Sequence, residues 1–375
     1  MLPAVVERAQ RVAAAARAGG ADWALLTSPD AIYYATGHEI SLETGPSAFA
    51  GGPTFALVGQ NGPVALAVDE LEHEAAVATG VPRVRSYESL GFRDLRPLGE
   101  RYLEAASAVL DEVEVAGTVG VERGSFPASL LRLVERRAQV VVIDDELARA
   151  RAIKTDDEVE RLRRCAALTG VGQRAASEAL QPGRTELEAF HEIRAAMEDS
   201  AGCRLVLAGD LISGPQRTAG VIGWPSSRRL REGDSVICDL VPRLDGYWGD
   251  SCKTFFVGEP SPALRRLHDV ARQGLELVAA RLRPGLSAGE LDAAVRGLAV
   301  RAGATNSLHL GHGIGTSPHE WPRIVPASSA TIEAGMVLMI EPGAYVAGSG
   351  GVRLEWMFHV TESGNDLLSP YDHEP

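Results

Sequence analysis

A seven-residue pattern near the middle of the chain returns 102 residues later, and it restricts the possible folds more than any other feature. Pro182-Gly183-Arg184-Thr185-Glu186-Leu187-Glu188 recurs as Pro284-Gly285-Leu286-Ser287-Ala288-Gly289-Glu290. In each copy Pro-Gly ends one helical stretch. A Thr or Ser followed three residues later by Glu then opens the next, because hydroxyl and carboxylate satisfy the free N–H groups of a helix start. Such self-similarity predicts two halves of one domain, about residues 155–258 and 261–375, related by internal pseudo-two-fold symmetry. A chance match of two capping motifs is the alternative. Upstream, Thr155-Asp156-Asp157-Glu158 is a capping box opening a long helix to Leu180, so this domain is assigned residues 151–375.

The chain has 375 residues, more than one hydrophobic core usually organises, so residues 1–150 are expected to fold separately. Residues 4–18 suit an Ala/Arg helix ended by Gly19-Gly20, followed by a strand at Trp23–Thr27 and a turn at Ser28-Pro29-Asp30. PTFALVG, GPVALAV, a helix near Leu98–Val113, TVGVE, a helix near Pro127–Arg137 and QVVVID continue the alternation, which predicts an α/β domain. The loop Gly37–Gly52 is long and polar, which fits either a functional loop or an unstructured surface segment. A net charge of −13 argues against nucleic acid or an anionic membrane as partner. The N-terminus interleaves charges with apolar residues, so neither a signal peptide nor a membrane span is expected. Cys165, Cys203, Cys238 and Cys252 form no CxxC pair and read as reduced, packed thiols of a cytoplasmic protein.

Two apolar runs, Ser235–Val241 and Asp250–Val257, flank a turn with Pro242 and Asp245-Gly246, a hairpin signature. With a four-residue loop Arg243–Gly246, Asp239 faces Asp250, and opposed residues on one sheet face have Cβ atoms about 5 Å apart. Two buried like charges that close need a cation, and a pair of metal ions is one arrangement that supplies it. One Asp capping a turn while the other faces water is the alternative.

The second half carries the matching groups. His312 lies between glycines in LHLGHGIGTSPHE, where missing side chains let backbone and substrate approach. The apolar run Val337–Ile340 leads into Glu341-Pro342-Gly343, placing a carboxylate at a strand end. Gly351–Val360 alternates, with Arg353, Glu355, Met357 and His359 on the face opposite Val352, Leu354, Trp356 and Phe358. Each acid alone passes for a salt-bridge or capping residue. Together they form a hard-oxygen set with one imidazole, suited to Mn²⁺, Co²⁺, Fe²⁺ or Zn²⁺.

Asp239…Asp250, GHGIG with His312, His319-Glu320, IEPG with Glu341 and VRLE with Glu355 together resemble the pita-bread metallopeptidases, in their prolidase, aminopeptidase P and creatinase branch. SPDAIYYATG near the N-terminus resembles the creatinase-type N-terminal domain of that branch. The resemblance implies a creatinase-type α/β domain followed by an α+β pita-bread domain. It further implies two divalent metal ions held by Asp239, Asp250, His312, Glu341 and Glu355. It gives Glu341 the role of general base and His319 that of donor to the substrate carbonyl, with Arg353 orienting the carboxylates. His309 is a candidate pocket residue, with packing as its other reading. A homodimer is implied as well, with the His38-Glu39 loop closing the partner's site.

Three positions depart from that pattern. Aligned back from Gly233-Asp234, Ile222 occupies the place of a substrate-binding His, so Ile222 is the candidate substrate contact there. Lys253 stands where the branch usually has Arg, and Trp356 follows the last Glu where Asp or Asn is common. The leading expectation is a dinuclear hydrolase of a C–N bond in a small peptide, of X-Pro dipeptidase or aminopeptidase P type. A hydrolase of a small non-peptide amide is the first alternative, and a metal-free binding module on the same fold is the second.

Overall fold

The computed structural model describes residues 1–40, 51–89 and 96–374, so residues 41–50 of the loop Gly37–Gly52 lie outside the described residues. The described chain divides into two compact units, Met1–Arg151 and Ala152–Pro375.

In the first unit a six-stranded mixed sheet runs in the order Val84–Tyr87, Gly62–Asp69, Phe55–Gly59, Trp23–Leu26, Thr118–Val121, Gln139–Val142. Separate apolar clusters, one around Val12, Ala24 and Ile32 and another around Leu25, Tyr102 and Leu130, cover its two faces. That is the expected α/β domain, with one segment misread. Ser28-Pro29-Asp30 is not a free turn: the Ser28 hydroxyl accepts from Ala31 N–H and Pro29 opens the helix Pro29–Thr36. Ser and Pro at a helix start carry the same composition as a turn.

In the second unit the internal symmetry is explicit. The strands Cys252–Phe256, Ser235–Asp239 and Leu211–Ser213 form a sheet in that order. Trp356–Val360, Val337–Ile340 and Gly311–Gly313 repeat the order at the centre of a five-stranded sheet. A helix pair precedes each set, Asp156–Ala179 with Glu186–Ala201 and Pro262–Arg281 with Ala288–Arg301. Thr185 bridges Arg229 as Ser287 bridges Thr331, partners that are the same 102 residues apart. The capping box is complete at Thr185, where Glu188 also accepts Thr185 N–H at 2.7 Å. At Ser287, among the described residues, only the forward bond from Glu290 N–H forms, at 3.3 Å.

The hairpin register differs from expectation. Asp245 and Gly246 have φ of 49° and 76°, so they form a two-residue turn with both central residues left-handed. Leu244 therefore pairs with Tyr247, and Asp239 faces Cys252 rather than Asp250. Shortening the loop by two residues slides the partner strand by two, which preserves the face. Pro242 lies inside the strand Val241–Leu244, opposite Leu207. The run Gly351–Val360 is likewise not one strand. Gly350–Arg353 pairs with Gly343–Val346, Trp356–Val360 pairs with Val337–Ile340, and Glu355 sits at the break between them.

Candidate metal centre

The symmetry carries the acids to one place. Asp239 ends the middle strand of the first half and Glu341 directly follows its counterpart. Both backbones are fixed alike: Asp239 N–H donates to Asp210 O and Glu341 N–H to Leu310 O, each at 2.8 Å. Glu355 N–H donates to Cys252 O at 2.8 Å, which ties the second half's last acid to the strand facing Asp239. His312 enters from a strand packed so tightly that a Cβ on Gly311 would lie 2.0 Å from Met339 O, and one on Gly313 would lie 2.4 Å from Trp321 O. The glycines thus serve close strand approach.

These side chains line one cavity of about 270 Å³ together with Asp210, Ile222, Trp248, Leu308, His309, His319 and Arg353. His312 Nε2 lies 3.5 Å from Asp250 Oδ2 and 3.4 Å from Glu341 Oε1, and His309 Nε2 lies 3.2 Å from the same Glu341 oxygen. The His309 and His312 rings stack at 5.3 Å, and the His312 and His319 centroids are 4.3 Å apart. Arg353 donates to Asp210 Oδ2 at 2.7 Å and to Asp239 Oδ2 at 2.6 Å, and its Nε pairs with Glu355 Oε1 at 3.4 Å.

Burial dominates the electrostatics. It pushes Asp239 up to about 6, against the pull of Arg353 and with repulsion from Asp210 added. Burial and neighbouring carboxylates hold Asp250, Glu341 and Glu355 well above the usual carboxylate range. The imidazoles move the other way: burial brings His312 down to about 3 and His309 to about 4, and His319 is lowered for the same reason. Neutral His312 uses Nδ1–H toward Gly313 O at 2.9 Å, a tautomer assigned from that contact, which turns the Nε2 lone pair toward two carboxylates. With both carboxyls ionised, acceptor faces acceptor there. Asp239 Oδ1 and Glu355 Oε2 are buried without a hydrogen-bond partner among the described residues. Such oxygens around a lone-pair nitrogen, with the Arg353 guanidinium beside them, fit hard divalent cations.

Cys252 also lies within 4.8 Å of ligand atoms of Asp239 and Glu355. Its thiol contacts Arg353 O at 3.4 Å and burial raises it well above its ordinary value, so it remains a packed thiol. Cys165 and Cys238 are buried too, whereas Cys203, just past the left-handed cap Gly202, is exposed, contrary to its reading as packed.

Asp210 and Trp248 are among the pocket residues that the sequence reading missed. Asp210, which the pair Gly209-Asp210 disguises as a turn, sits against Arg353. Trp248 is 6% exposed and its indole N–H has no partner among the described residues, leaving a buried donor at the pocket.

Residues 160–362 match the metallopeptidase family M24 and residues 8–163 the creatinase/prolidase N-terminal domain. The chain belongs to metallopeptidase family M24, a family of enzymes that depend on divalent metal. It is 30% identical over 262 residues to the Xaa-Pro dipeptidase of Pyrococcus furiosus, covering 68% of this chain and 75% of that one. Dipeptidase PepE from Mycobacterium ulcerans matches with a TM-score of 0.81 at 27% identity, over 99% of this chain and 97% of that one. The prolidase from Pyrococcus horikoshii OT3, at 24% identity, has the same fold, with a TM-score of 0.82 over 98% and 99% of the two chains. No helix among the described residues is long and apolar enough to cross a membrane.

Proposed function

We propose that this metallopeptidase hydrolyses the peptide bond preceding proline in short peptides, as an X-Pro dipeptidase. The observation that carries the reading is the convergence of Asp239, Asp250, His312, Glu341 and Glu355 on one cavity, with His312 Nε2 aimed at two carboxylates. These five residues are assigned as ligands of two divalent ions. Bound there, such ions supply Lewis acidity and an acidified water at neutral pH.

The chain's own groups do the rest. The Glu341 carboxylate takes a proton from the attacking water and passes it toward the leaving nitrogen. His319 donates an N–H to the oxygen that gains charge as the carbonyl is attacked. Arg353 fixes the orientation of Asp239 and Glu355 through its contacts at 2.6 and 3.4 Å. His309, against Glu341, restrains that carboxylate. The reading includes a homodimer acting in the cytoplasm, in keeping with cysteines that are all free thiols.

Hydrolysis of matched X-Pro and X-Ala dipeptides with added Mn²⁺, Co²⁺ or Zn²⁺ tests the assignment. Cleavage of X-Pro in preference to X-Ala, lost in Asp250→Ala, is the expected result. A metal-loaded protein that cleaves neither would move the reading to a small non-peptide amide, consistent with Ile222 at the pocket in place of an imidazole.

A further inference from the structure

Val221 has φ of 77°, a left-handed conformation that a β-branched residue adopts only where its surroundings hold it. The restraint is visible. Arg353 donates from its second terminal nitrogen to Val221 O at 2.9 Å, while Gly223 N–H donates to Asp210 Oδ1 at 2.9 Å. Arg353 and Asp210 are themselves paired at 2.7 Å, so guanidinium and carboxylate grip the turn at consecutive corners around Ile222. Both are tied back to Asp239, by the Arg353 contact and by the Asp210 carbonyl.

The far end of the segment is anchored independently. Buried Glu186 accepts Ser226 N–H at 2.9 Å and the Ser226 hydroxyl at 2.6 Å, and pairs with Arg217, which donates to Trp224 O at 2.6 Å. Between these two anchors Ile222 stands 66% exposed while lining the cavity. Leu308, 70% exposed, lines the same cavity. Apolar side chains that stand in water and line a pocket gain free energy when an apolar ligand group covers them.

The geometry points to Asp210 as a positioning residue: with Arg353 it brackets the left-handed turn at Val221 and so presents Ile222, which lines the cavity along with Leu308, as an apolar wall that selects substrates with a bulky apolar side chain. This rests on the peptidase reading for its substrate class, yet the bracket and the wall have readouts of their own. Asp210 contacts no reacting atom in this scheme; it acts through the turn.

The test compares Phe-Pro with Gly-Pro, by hydrolysis and by calorimetric affinity, for the metal-loaded full chain and for Ile222→Ala, Asp210→Asn and Val221→Gly. Hydrogen exchange over residues 219–226 and metal content are measured alongside. Wild type should favour Phe-Pro by about tenfold or more, the scale of apolar pocket discrimination. Ile222→Ala and Asp210→Asn should both bring the ratio toward one, chiefly through KM. Asp210→Asn should also speed exchange across 219–226. Val221→Gly, which takes a left-handed φ without strain, should keep the preference. Equal losses on both peptides, or metal loss with the ratio intact, would show that Asp210 serves Asp239 alone and overturn the proposal. If wild type hydrolyses neither peptide, the peptidase reading falls by itself, and the affinity ratio decides the wall: no preference for Phe-Pro overturns it.

Discussion

Arg353 is the residue on which the site's charge balance turns. It is buried, and its guanidinium meets Asp210, Asp239, Glu355 and the Val221 carbonyl. Removing one partner of a buried ion network leaves the others unpaired, so Arg353→Ala should destabilise the metal-free protein by about 3–5 kcal/mol in a denaturant titration. Arg353→Lys should recover only part of that, since an ammonium lacks the planar fork that spans several acceptors. The titration of the site has a definite sign. Raised pKa values at Asp239, Asp250, Glu341 and Glu355 mean that the metal-free fold holds protons there which the unfolded chain has lost. For each group that contribution is complete below the ordinary carboxylate range and is lost as pH rises through its raised value, which for Asp239 is about 6. The lowered imidazoles of His312 and His309 act oppositely: the folded protein keeps them neutral, so acidification through the ordinary His value costs stability. Metal binding separates the two sets. Burial holds the imidazoles neutral, as metal ligation requires, while it favours the protonated form of the carboxyls, from which a bound ion displaces protons. Calorimetry in buffers of different ionisation enthalpy should therefore show proton release on metal binding and an affinity that weakens as pH falls through about 6, the Asp239 value. No release would contradict the assignment of these acids as ligands.

At the scale of elements, the strand Gly311–Gly313 and the C-terminal segment hold the ligands in place. Gly311→Ala forces a methyl against Met339 O and should cost about 2–4 kcal/mol of stability, read by thermal or urea unfolding. The C-terminal segment acts on Glu355. Tyr371 OH donates to Glu355 O at 3.1 Å and His373 Nε2 at 2.9 Å, while Trp356 Nε1 donates to Tyr371 O at 3.1 Å. Lys253 reaches Asp372 at 3.4 Å. Lys253 and Trp356, two departures from the family pattern, thus both meet this segment. Tyr371→Phe combined with His373→Ala should weaken metal affinity about 10–100-fold, measured by competition with a chelator, because the carbonyl of a ligating residue loses both its donors. Unchanged affinity would assign the segment a packing role only. These elements also mark where sequence reading succeeds and stops. The run Val337–Ile340 before Glu341-Pro342 was legible because apolar length and a proline define a buried strand end. The register of the Asp239 hairpin was not: Pro242 looked like loop, although Asp245-Gly246 already carried the signature of a two-residue turn. Asp210 and Val221 were illegible for another reason, since a bracket between residues 143 apart in sequence leaves no local pattern.

For the whole molecule, the repeated Pro-Gly and capping motif disclosed the pseudo-symmetric second unit, and the same symmetry explains why acids far apart in sequence meet. Asp239 and Glu341 leave equivalent strand ends, each fixed by an equivalent hydrogen bond of 2.8 Å. Local periodicity cannot state this, because the meeting point is set by the packing of one half on the other. That meeting point is proposed as a two-ion centre. Its most direct test is metal analysis of the full chain after equilibration with Mn²⁺ or Co²⁺ and removal of free ions, beside Asp250→Ala and Glu341→Gln. About two ions per chain are expected in the wild type, with a clear loss in both variants. Full metal content in the variants, or no retained metal in the wild type, would contradict it.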